Sequence, residues 1–166
     1  MLNTLLLLTY IIPLPFWVLM IFFPKRGLTQ RVANNYTVFL LLGALYIFTA
    51  VGALVAWIAQ AASGNAPTMG LFSVEGLGGL FSSPAGALVV WLHMTTMDLI
   101  GGHWMYHETQ RLKTNRVLAA LFLLTTYLLG PLGLFVFVMY RLLVSLREHN
   151  LAESKESKAE TASKAA

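Results

Sequence analysis

Four long apolar stretches dominate this sequence. They cover about residues 2–23, 36–62, 85–107 and 117–140. Each is long enough to form an α-helix that crosses roughly 30 Å of hydrocarbon. Residues 32–110 contain no Lys or Arg, and the whole chain is 57% hydrophobic and only 11% charged, far from the composition of a soluble globular protein. The sequence therefore predicts an all-α polytopic membrane protein, a four-transmembrane-helix bundle whose first partner is the lipid bilayer.

The first and fourth stretches contain helix-breaking residues. Pro13 and Pro15 lie near the middle of the first, and Gly130-Pro131 interrupts the fourth. Proline removes a backbone donor and disfavours helix in the residue before it, so we expect both helices to be kinked. Between the second and third stretches, residues 63–84 are interpreted as an interfacial cap. Its last residues, Ser83-Pro84, are a helix-start signal.

The basic residues predict the topology. They cluster in two loops, 24–35 and 108–116, which the positive-inside rule places in the cytoplasm, with both termini on the opposite side. These loops account for the high pI, so no nucleic-acid partner is expected. Residues 1–146 are assigned to the transmembrane domain. Residues 147–166, which mix four basic and four acidic residues with Ala and Ser, are predicted to be a disordered polar tail.

The amino terminus bears on localisation. Met1 leads at once into apolar sequence, without a basic region or a cleavage site, which favours a retained first helix over a signal peptide. No Arg- and Ser-rich transit segment precedes it. We therefore expect an integral protein of a bacterial inner membrane or a photosynthetic membrane.

The third stretch carries most of the unusual polar residues. On a helical wheel they form two faces on roughly opposite sides, and a lipid-facing helix could not shield both. This helix is therefore predicted to lie at the centre of the bundle, with Gly101 and Gly102 allowing a neighbour to approach closely. One face contains His93, Thr96, His103 and His107, and the other contains Trp91, Thr95, Asp98 and Gly102.

Each candidate residue has a structural and a functional interpretation. Asp98 is either a hydrogen-bonding group between helices or a functional intramembrane acid, and His93 either bonds a neighbouring carbonyl or acts as a base. His103 and His107 are four residues apart, a spacing at which two histidines of one helix can bind the same metal ion. Their position near the membrane surface favours an interfacial role instead. No metal site and no cofactor are predicted; the chain has no cysteine, and the other stretches lack the histidine that haem would need. Arg141 is either an interfacial anchor or the partner of a carboxylate.

The tryptophans and tyrosines also have two interpretations. They form interfacial belts, or the deeper ones line a groove for a long apolar ligand.

A family resemblance arises from these residues. The run Trp91-x-His93-x-x-x-x-Asp98-Leu99, followed by Gly102-x-Trp104 and Glu108, resembles the core of the neoxanthin-synthase-like (abscisic-acid-deficient-4-like) integral membrane proteins. The resemblance covers about residues 10–142. Two positions depart from the family pattern, since His103 stands where an arginine is usual and Glu108 where an aspartate is usual. Further similar pieces are Pro15-x-Trp17, Pro24, Leu71-Phe72, Leu80-Phe81-Ser82-Ser83 and Gly130-Pro131-Leu132-Gly133-Leu134.

The resemblance implies a four-helix membrane protein needed to make neoxanthin from violaxanthin. That conversion of an epoxide to an allenic alcohol is a redox-neutral isomerisation, so it needs an acid and a base but no nicotinamide or flavin. Asp98 is the expected acid and His93 the expected base, although on a straight helix they point about 140° apart, which requires a distorted helix or two protomers. The expected ligand-binding residues are Trp91, Thr95, Gly102, His103, Trp104, His107 and Glu108.

A second function remains open. The chain is then a non-enzymatic carotenoid-binding or assembly subunit of a photosynthetic or other membrane complex, with the polar residues holding helices together. A homo-oligomer fits either function. A proton or ion conductor is less well supported, because the sequence has no multi-acid relay.

Overall fold

The computed structural model describes residues 2–64 and 73–165. All regular secondary structure in these ranges is helical, which confirms the all-α prediction. Leu71-Phe72 and much of the predicted cap lie outside the described residues. The helices are α1 Leu2–Ile11, α2 Leu14–Phe22, α3 Gly27–Ala33, α4 Thr37–Ala62, α5 Val74–Ser82, α6 Pro84–Arg111, α7 Arg116–Leu129 and α8 Pro131–Ala165.

The first apolar stretch is broken near Pro13 and Pro15, where the sequence predicts a kink. α1 ends at Ile11 and α2 begins at Leu14. Pro13 precedes α2 as its N-cap, and its carbonyl accepts a hydrogen bond from the Trp17 amide at 3.2 Å in the first turn of α2. Taken together, Leu2–Phe22 is long and apolar enough to cross a membrane, and so is α4, Thr37–Ala62. Membrane association is therefore supported by these two elements.

The third stretch forms the centre of the fold, as its two polar faces predicted. α6 packs against α1, α2, α4, α5, α7 and α8. Its start is also confirmed: Pro84 occupies the first turn, and the Ser83 hydroxyl accepts a hydrogen bond from the Gly86 amide at 3.0 Å. The buried side chains of Leu92, Leu99 and Met105 anchor this helix in the core.

The fourth stretch is not one kinked helix, and the prediction is wrong here. The ring of Phe122 lies 5.4 Å from that of Phe137 and 5.2 Å from that of Tyr140. Phe122 and Phe137 would be about 22 Å apart in a continuous helix. α7 and α8 therefore form an antiparallel helical hairpin.

The reversal of the hairpin occurs at Gly130. Its φ is +48°, a conformation that glycine adopts at little cost. Pro131 then begins α8, because proline suits the first position of a helix and cannot extend the preceding one. Gly133 permits close packing, since a Cβ there would overlap the backbone and side chain of Thr126. The two glycines therefore produce a reversal rather than a bend, because they let the two helices touch.

The hairpin changes the expected topology. α8 runs back along α6, with the ring of Phe137 5.4 Å from that of Trp104 and Arg141 bonded to Glu108. The carboxyl-terminal part of α8 thus lies at the same end of the fold as the loop 108–116, which does not support the predicted position of the carboxyl terminus opposite the basic loops. A bundle of four spanning helices is not confirmed.

The sequence predicts a disordered polar tail from residue 147. In the structure, α8 extends as a helix through residue 165. Ala, Glu and Lys dominate this segment and favour helix. His149 and Glu153 add an i,i+4 contact of 3.6 Å between Nδ1 and Oε1.

Candidate functional site

A pocket of about 220 Å³ surrounds Asp98. It forms where the bend between α1 and α2, the middle of α6 and the last turns of α7 meet. Both helix breaks of the fold border it, because Pro13 lines the pocket and Gly130 lies against Asp98. The lining residues are Thr9, Tyr10, Pro13, Trp17, Trp91, Thr95, Asp98, Tyr127 and Leu128.

Asp98 is a half-buried acid that has no partner in the described part of the chain. Among the described residues, its carboxylate makes no hydrogen bond and no ion pair. A Cβ added at Gly130 would lie 2.6 Å from Asp98 Oδ1, so the missing side chain of Gly130 makes room for the carboxylate. Asp98 also sits beside the start of α8, where the helix dipole favours a negative charge.

Aromatic rings form the walls of the Asp98 pocket. Trp17 and Tyr127 pair with ring centroids 5.4 Å apart, and Tyr10 and Trp91 pair at 5.6 Å. The Trp17 ring in turn rests on Gly102, where an added Cβ would be 2.7 Å from Cζ3. Such walls suit a flat or conjugated apolar ligand.

The polar face predicted for Trp91, Thr95 and Asp98 does converge on one pocket. The hydroxyl groups of the two threonines in the pocket already donate hydrogen bonds to backbone carbonyls. Thr95 donates to the Trp91 carbonyl at 2.9 Å, and Thr9 donates to the Leu6 carbonyl at 2.7 Å. Their oxygens remain as acceptors. Gly102 contributes indirectly, by seating Trp17.

His93 lies elsewhere. Its ring is exposed and packs 5.9 Å from Tyr46 of α4, and it does not line the Asp98 pocket. The structure therefore does not bring the expected acid and base together. The reason is helical geometry: five residues of regular helix turn the two side chains to different faces of α6.

His103 and His107 face loop 24–35 and the start of α4. His103 Nε2 donates to the Ala33 carbonyl at 2.5 Å, and His107 Nε2 lies 3.2 Å from the same His103 atom. Tyr36 and Phe39 pack edge-on against His103, at 5.6 and 5.3 Å. In the part of the chain that is described, no group of three or more His, Cys, Asp or Glu side chains is placed to hold a metal.

Glu108 is the centre of an ion cluster at the end of α6. Arg111 donates to both its oxygens, at 2.6 and 2.9 Å, and Arg141 Nε donates to Oε1 at 2.6 Å. The hydrogen bonds from Arg111, then those from Arg141, lower the pKa of the Glu108 carboxyl, although burial acts in the opposite direction. Arg141 also lies over the Trp104 ring, at 5.7 Å.

These residues form a separate site, the Glu108 cluster (Glu108, Arg111, Arg141 and Trp104). Its acid is ten residues from Asp98, or about 15 Å along the helix. Of the two interpretations of Arg141, the carboxylate partner is the one observed. Trp104 and Glu108 were expected to bind ligand, but the structure places them in this cluster and outside the Asp98 pocket.

Two apolar cavities extend the Asp98 pocket toward the amino-terminal end of α6. A groove of about 360 Å³ between α1 and α6 shares Tyr10 and Trp91 with the pocket. A larger cavity of about 760 Å³ between α1, α4 and α6 shares Leu2 and Leu88 with that groove. Neighbouring spaces thus have lining residues in common, and together they lie along α1 and α6 from the region of Leu2 to that of Asp98.

Sequence reasoning missed several residues of the pocket, namely Thr9, Tyr10, Pro13 and Tyr127 as lining residues. Pro13 was recognised only as a helix breaker, and Trp17 only within a motif or a belt. The one available signal was the general expectation that deep aromatic residues line a groove, and it did not single out Tyr10 or Tyr127.

Comparison with known proteins supplies the family. Curated proteins give no match, and neither do solved structures. The model of the ABA4-like family, described as ABA DEFICIENT 4-like, matches residues 4–137. This range is most of the chain and includes nearly all of α1, the whole of α2 to α7 and the Asp98 pocket. This protein therefore belongs to the ABA DEFICIENT 4-like family.

Proposed function

We propose that this protein binds a carotenoid within the membrane and isomerises an epoxidised end ring at Asp98 without a redox cofactor. The observation that carries the proposal is the unpaired carboxylate of Asp98 in an aromatic pocket. An acid that only joined helices would have a hydrogen-bond partner, because an unsatisfied intramembrane polar group is costly. A ligand with a polar end group would supply that partner.

The shape of the cavities supports a long ligand. Its end ring would lie between the Tyr10–Trp91 and Trp17–Tyr127 pairs. Its polyene chain would follow the groove between α1 and α6, whose lining is mostly apolar. Burial of the chain contributes the affinity, roughly 25 cal/mol per Å² of apolar surface, and the polar pocket selects an oxygenated end.

The chemistry requires only proton transfer. In the isomerisation of an epoxide to an allenic alcohol, a proton leaves carbon and another reaches the epoxide oxygen. A carboxyl group in a site that excludes water can exchange such protons. Asp98 is the group in the pocket best suited to this role, because the threonine protons are already donated to backbone carbonyls.

A carotenoid-binding or assembly subunit is the second candidate. The cavity of about 760 Å³ is almost entirely apolar and lies between α1, α4 and α6, without Asp98 in its lining. A pigment held there would need no acid. In this case the protein serves as a homo-oligomer or as a subunit of a photosynthetic or other membrane complex.

The proposed membrane arrangement follows from the hairpin. Leu2–Phe22, α4 and α6 span the bilayer, and α7–α8 enters from the side of the basic loops and returns to it. The reversal at Gly130 is acceptable at that depth because it is buried against α6, where irregular backbone is shielded from lipid. The basic loops 24–35 and 108–116 face the cytoplasm of a bacterial inner or photosynthetic membrane.

Cysteine labelling tests this arrangement cleanly, since the chain has no cysteine. Single variants Lys113→Cys and Ser154→Cys in sealed vesicles should react with a membrane-impermeant maleimide from the same side, because α8 returns to the end of α6. Labelling from opposite sides would restore a single spanning helix through residues 117–140 and refute the hairpin.

Function is tested with purified protein in lipid nanodiscs. Bound pigment is first extracted with solvent and identified, and violaxanthin is then added and its products are separated. Conversion to an allenic product supports the isomerase, whereas pigment that copurifies and stays unchanged supports the binding subunit. A protein that neither binds nor converts carotenoid would overturn both.

A further inference from the structure

We infer that Tyr127, and not His93, is the residue that works with Asp98, and that the roles differ from those expected from the sequence: Asp98 is the base and Tyr127 is the proton donor. This inference rests on the proposed isomerase function and names the second catalytic residue of that site. Its basis is position, since Tyr127 lines the Asp98 pocket and His93 does not.

Tyr127 lies on the last turn of α7, three residues before Gly130. Gly130 directly follows α7, and the Asp98 carboxylate rests against it. The phenol ring is held by Trp17, whose own ring is seated on Gly102. The hairpin reversal and this stack of rings thus place the phenol of Tyr127 in the same pocket as the Asp98 carboxylate.

The hydroxyl of Tyr127 has its proton available. Within the described residues it makes no hydrogen bond, whereas the Tyr106 hydroxyl is committed to the Pro24 carbonyl at 2.7 Å. The threonine protons of the pocket are committed as well. A phenol can give its proton to an oxygen that becomes an alkoxide, and an indole N–H such as that of Trp17 is too weak an acid to do so.

Tyr10 is the other phenol of the pocket, and its position suits a different task. It pairs with Trp91, which is seven residues, or about 10 Å, from Asp98 along α6. That pair stands at the junction between the pocket and the groove. Tyr10 therefore contacts the polyene chain rather than the reacting oxygen.

The proton transfers balance without an oxidant or a reductant. Asp98, as the carboxylate, takes the hydrogen of the vinylic carbon bonded to the epoxide carbon. The electrons of that C–H bond form the second double bond of the allene, and the carbon–oxygen bond of the epoxide carbon breaks. The oxygen, still bonded to the other ring carbon, takes the proton of Tyr127 and becomes an alcohol. Transfer of the proton from Asp98 to the phenolate then restores both groups.

The test compares three variants with the wild type in nanodiscs supplied with violaxanthin. Tyr127→Phe keeps the ring that packs on Trp17 and should lower kcat by about 100-fold or more, with KM changed less than threefold. His93→Gln should keep most of the turnover. Tyr140→Phe is the matched control and should behave as the wild type. The Tyr140 hydroxyl donates to the Thr114 hydroxyl at 3.5 Å, at the end of the hairpin opposite Gly130.

A rescue experiment separates chemistry from packing. Tyr127→Gly should recover part of its turnover when small phenols are added, and the recovery should follow the acidity of the phenol. If the wild type is active, Tyr127→Phe is unimpaired and His93→Gln is inactive, this inference is overturned while the proposed isomerase function stands. A wild type that converts no epoxycarotenoid would overturn the proposed function, and the inference with it.

Discussion

Asp98 and Glu108 lie ten residues apart on the same helix, yet their surroundings differ completely. Glu108 is 11% exposed and accepts three hydrogen bonds from two arginines. Asp98 has no partner among the described residues and faces a pocket. The difference shows that an acid on a membrane helix is not by itself evidence for function, and that pairing decides which acid is available to a ligand.

The hairpin explains the contrast. As α8 returns along α6, it brings Arg141 to Glu108, and at its reversal it brings only Gly130 to Asp98. Glu108 is therefore paired with the Arg141 guanidinium, whereas Asp98 contacts a glycine that has no side chain. The same element pairs the acid at one end of α6 and leaves the acid in its middle without a partner among the described residues.

The largest expected effect is on turnover at the unpaired acid. Asp98→Asn should lower conversion of violaxanthin by about 10²- to 10⁴-fold, because the amide cannot exchange the proton. The melting temperature should stay close to that of the wild type, since no protein partner is lost. Full turnover in this variant would remove Asp98 from the mechanism.

The second effect tests the reversal beside Asp98. Gly130→Ala should destabilise the protein by about 1–3 kcal/mol, because alanine is strained at φ +48° and its Cβ would press on the carboxylate. Gly43→Ala in α4 is the control, since an added Cβ there meets nothing within 4 Å. Thermal unfolding in detergent should show a lower midpoint for the first variant only, and equal midpoints would argue against a chain reversal at Gly130.

A smaller effect is expected at the paired acid. Glu108→Gln should cost about 1–2 kcal/mol of stability, a reduced value because the side chains of Arg111 and Arg141 are 64% and 44% exposed. The same unfolding assay measures it. If the variant were as stable as the wild type, the Glu108 cluster would contribute nothing to the fold.

The smallest expected effect is the change in protein stability at acidic pH. The two arginines hold the pKa of Glu108 below its ordinary value of about 4.5, so its ion pairs stabilise the folded state above that pH and are lost as the pH falls below it. The unfolding midpoint of the wild type should drop in this range more than that of Glu108→Gln. Parallel curves for the two proteins would contradict the linkage.

Local patterns predicted much of α6 but little of the hairpin. Ser83 and Pro84 signalled the helix start, and the two polar faces signalled a central helix and the shared face of Trp91, Thr95 and Asp98. A Gly-Pro pair, in contrast, is compatible with a bend or with a reversal. Only the packing of distant residues decides between them, and here Thr126 meets Gly133.

The candidate site was predicted only in part, because its lining also depends on how residues distant in the sequence pack together. Asp98 was identifiable because a carboxylate is unusual inside an apolar stretch. Tyr10 and Tyr127 were not, since tyrosines are common in such stretches and their convergence depends on how α1 and α7 pack. His93 was assigned as the base because an imidazole can exchange protons, and the angle of about 140° from Asp98 already required a distorted helix or two protomers. The regular helix of α6 keeps the two side chains on different faces.

The most direct measurement is the infrared difference spectrum of the protein in nanodiscs with and without violaxanthin. If Asp98 is the acid that meets the ligand, a carboxyl band should shift when the carotenoid binds, vanish in Asp98→Asn and remain in Glu108→Gln. A ligand-induced band that survives in Asp98→Asn, or that disappears in Glu108→Gln, would contradict the assignment.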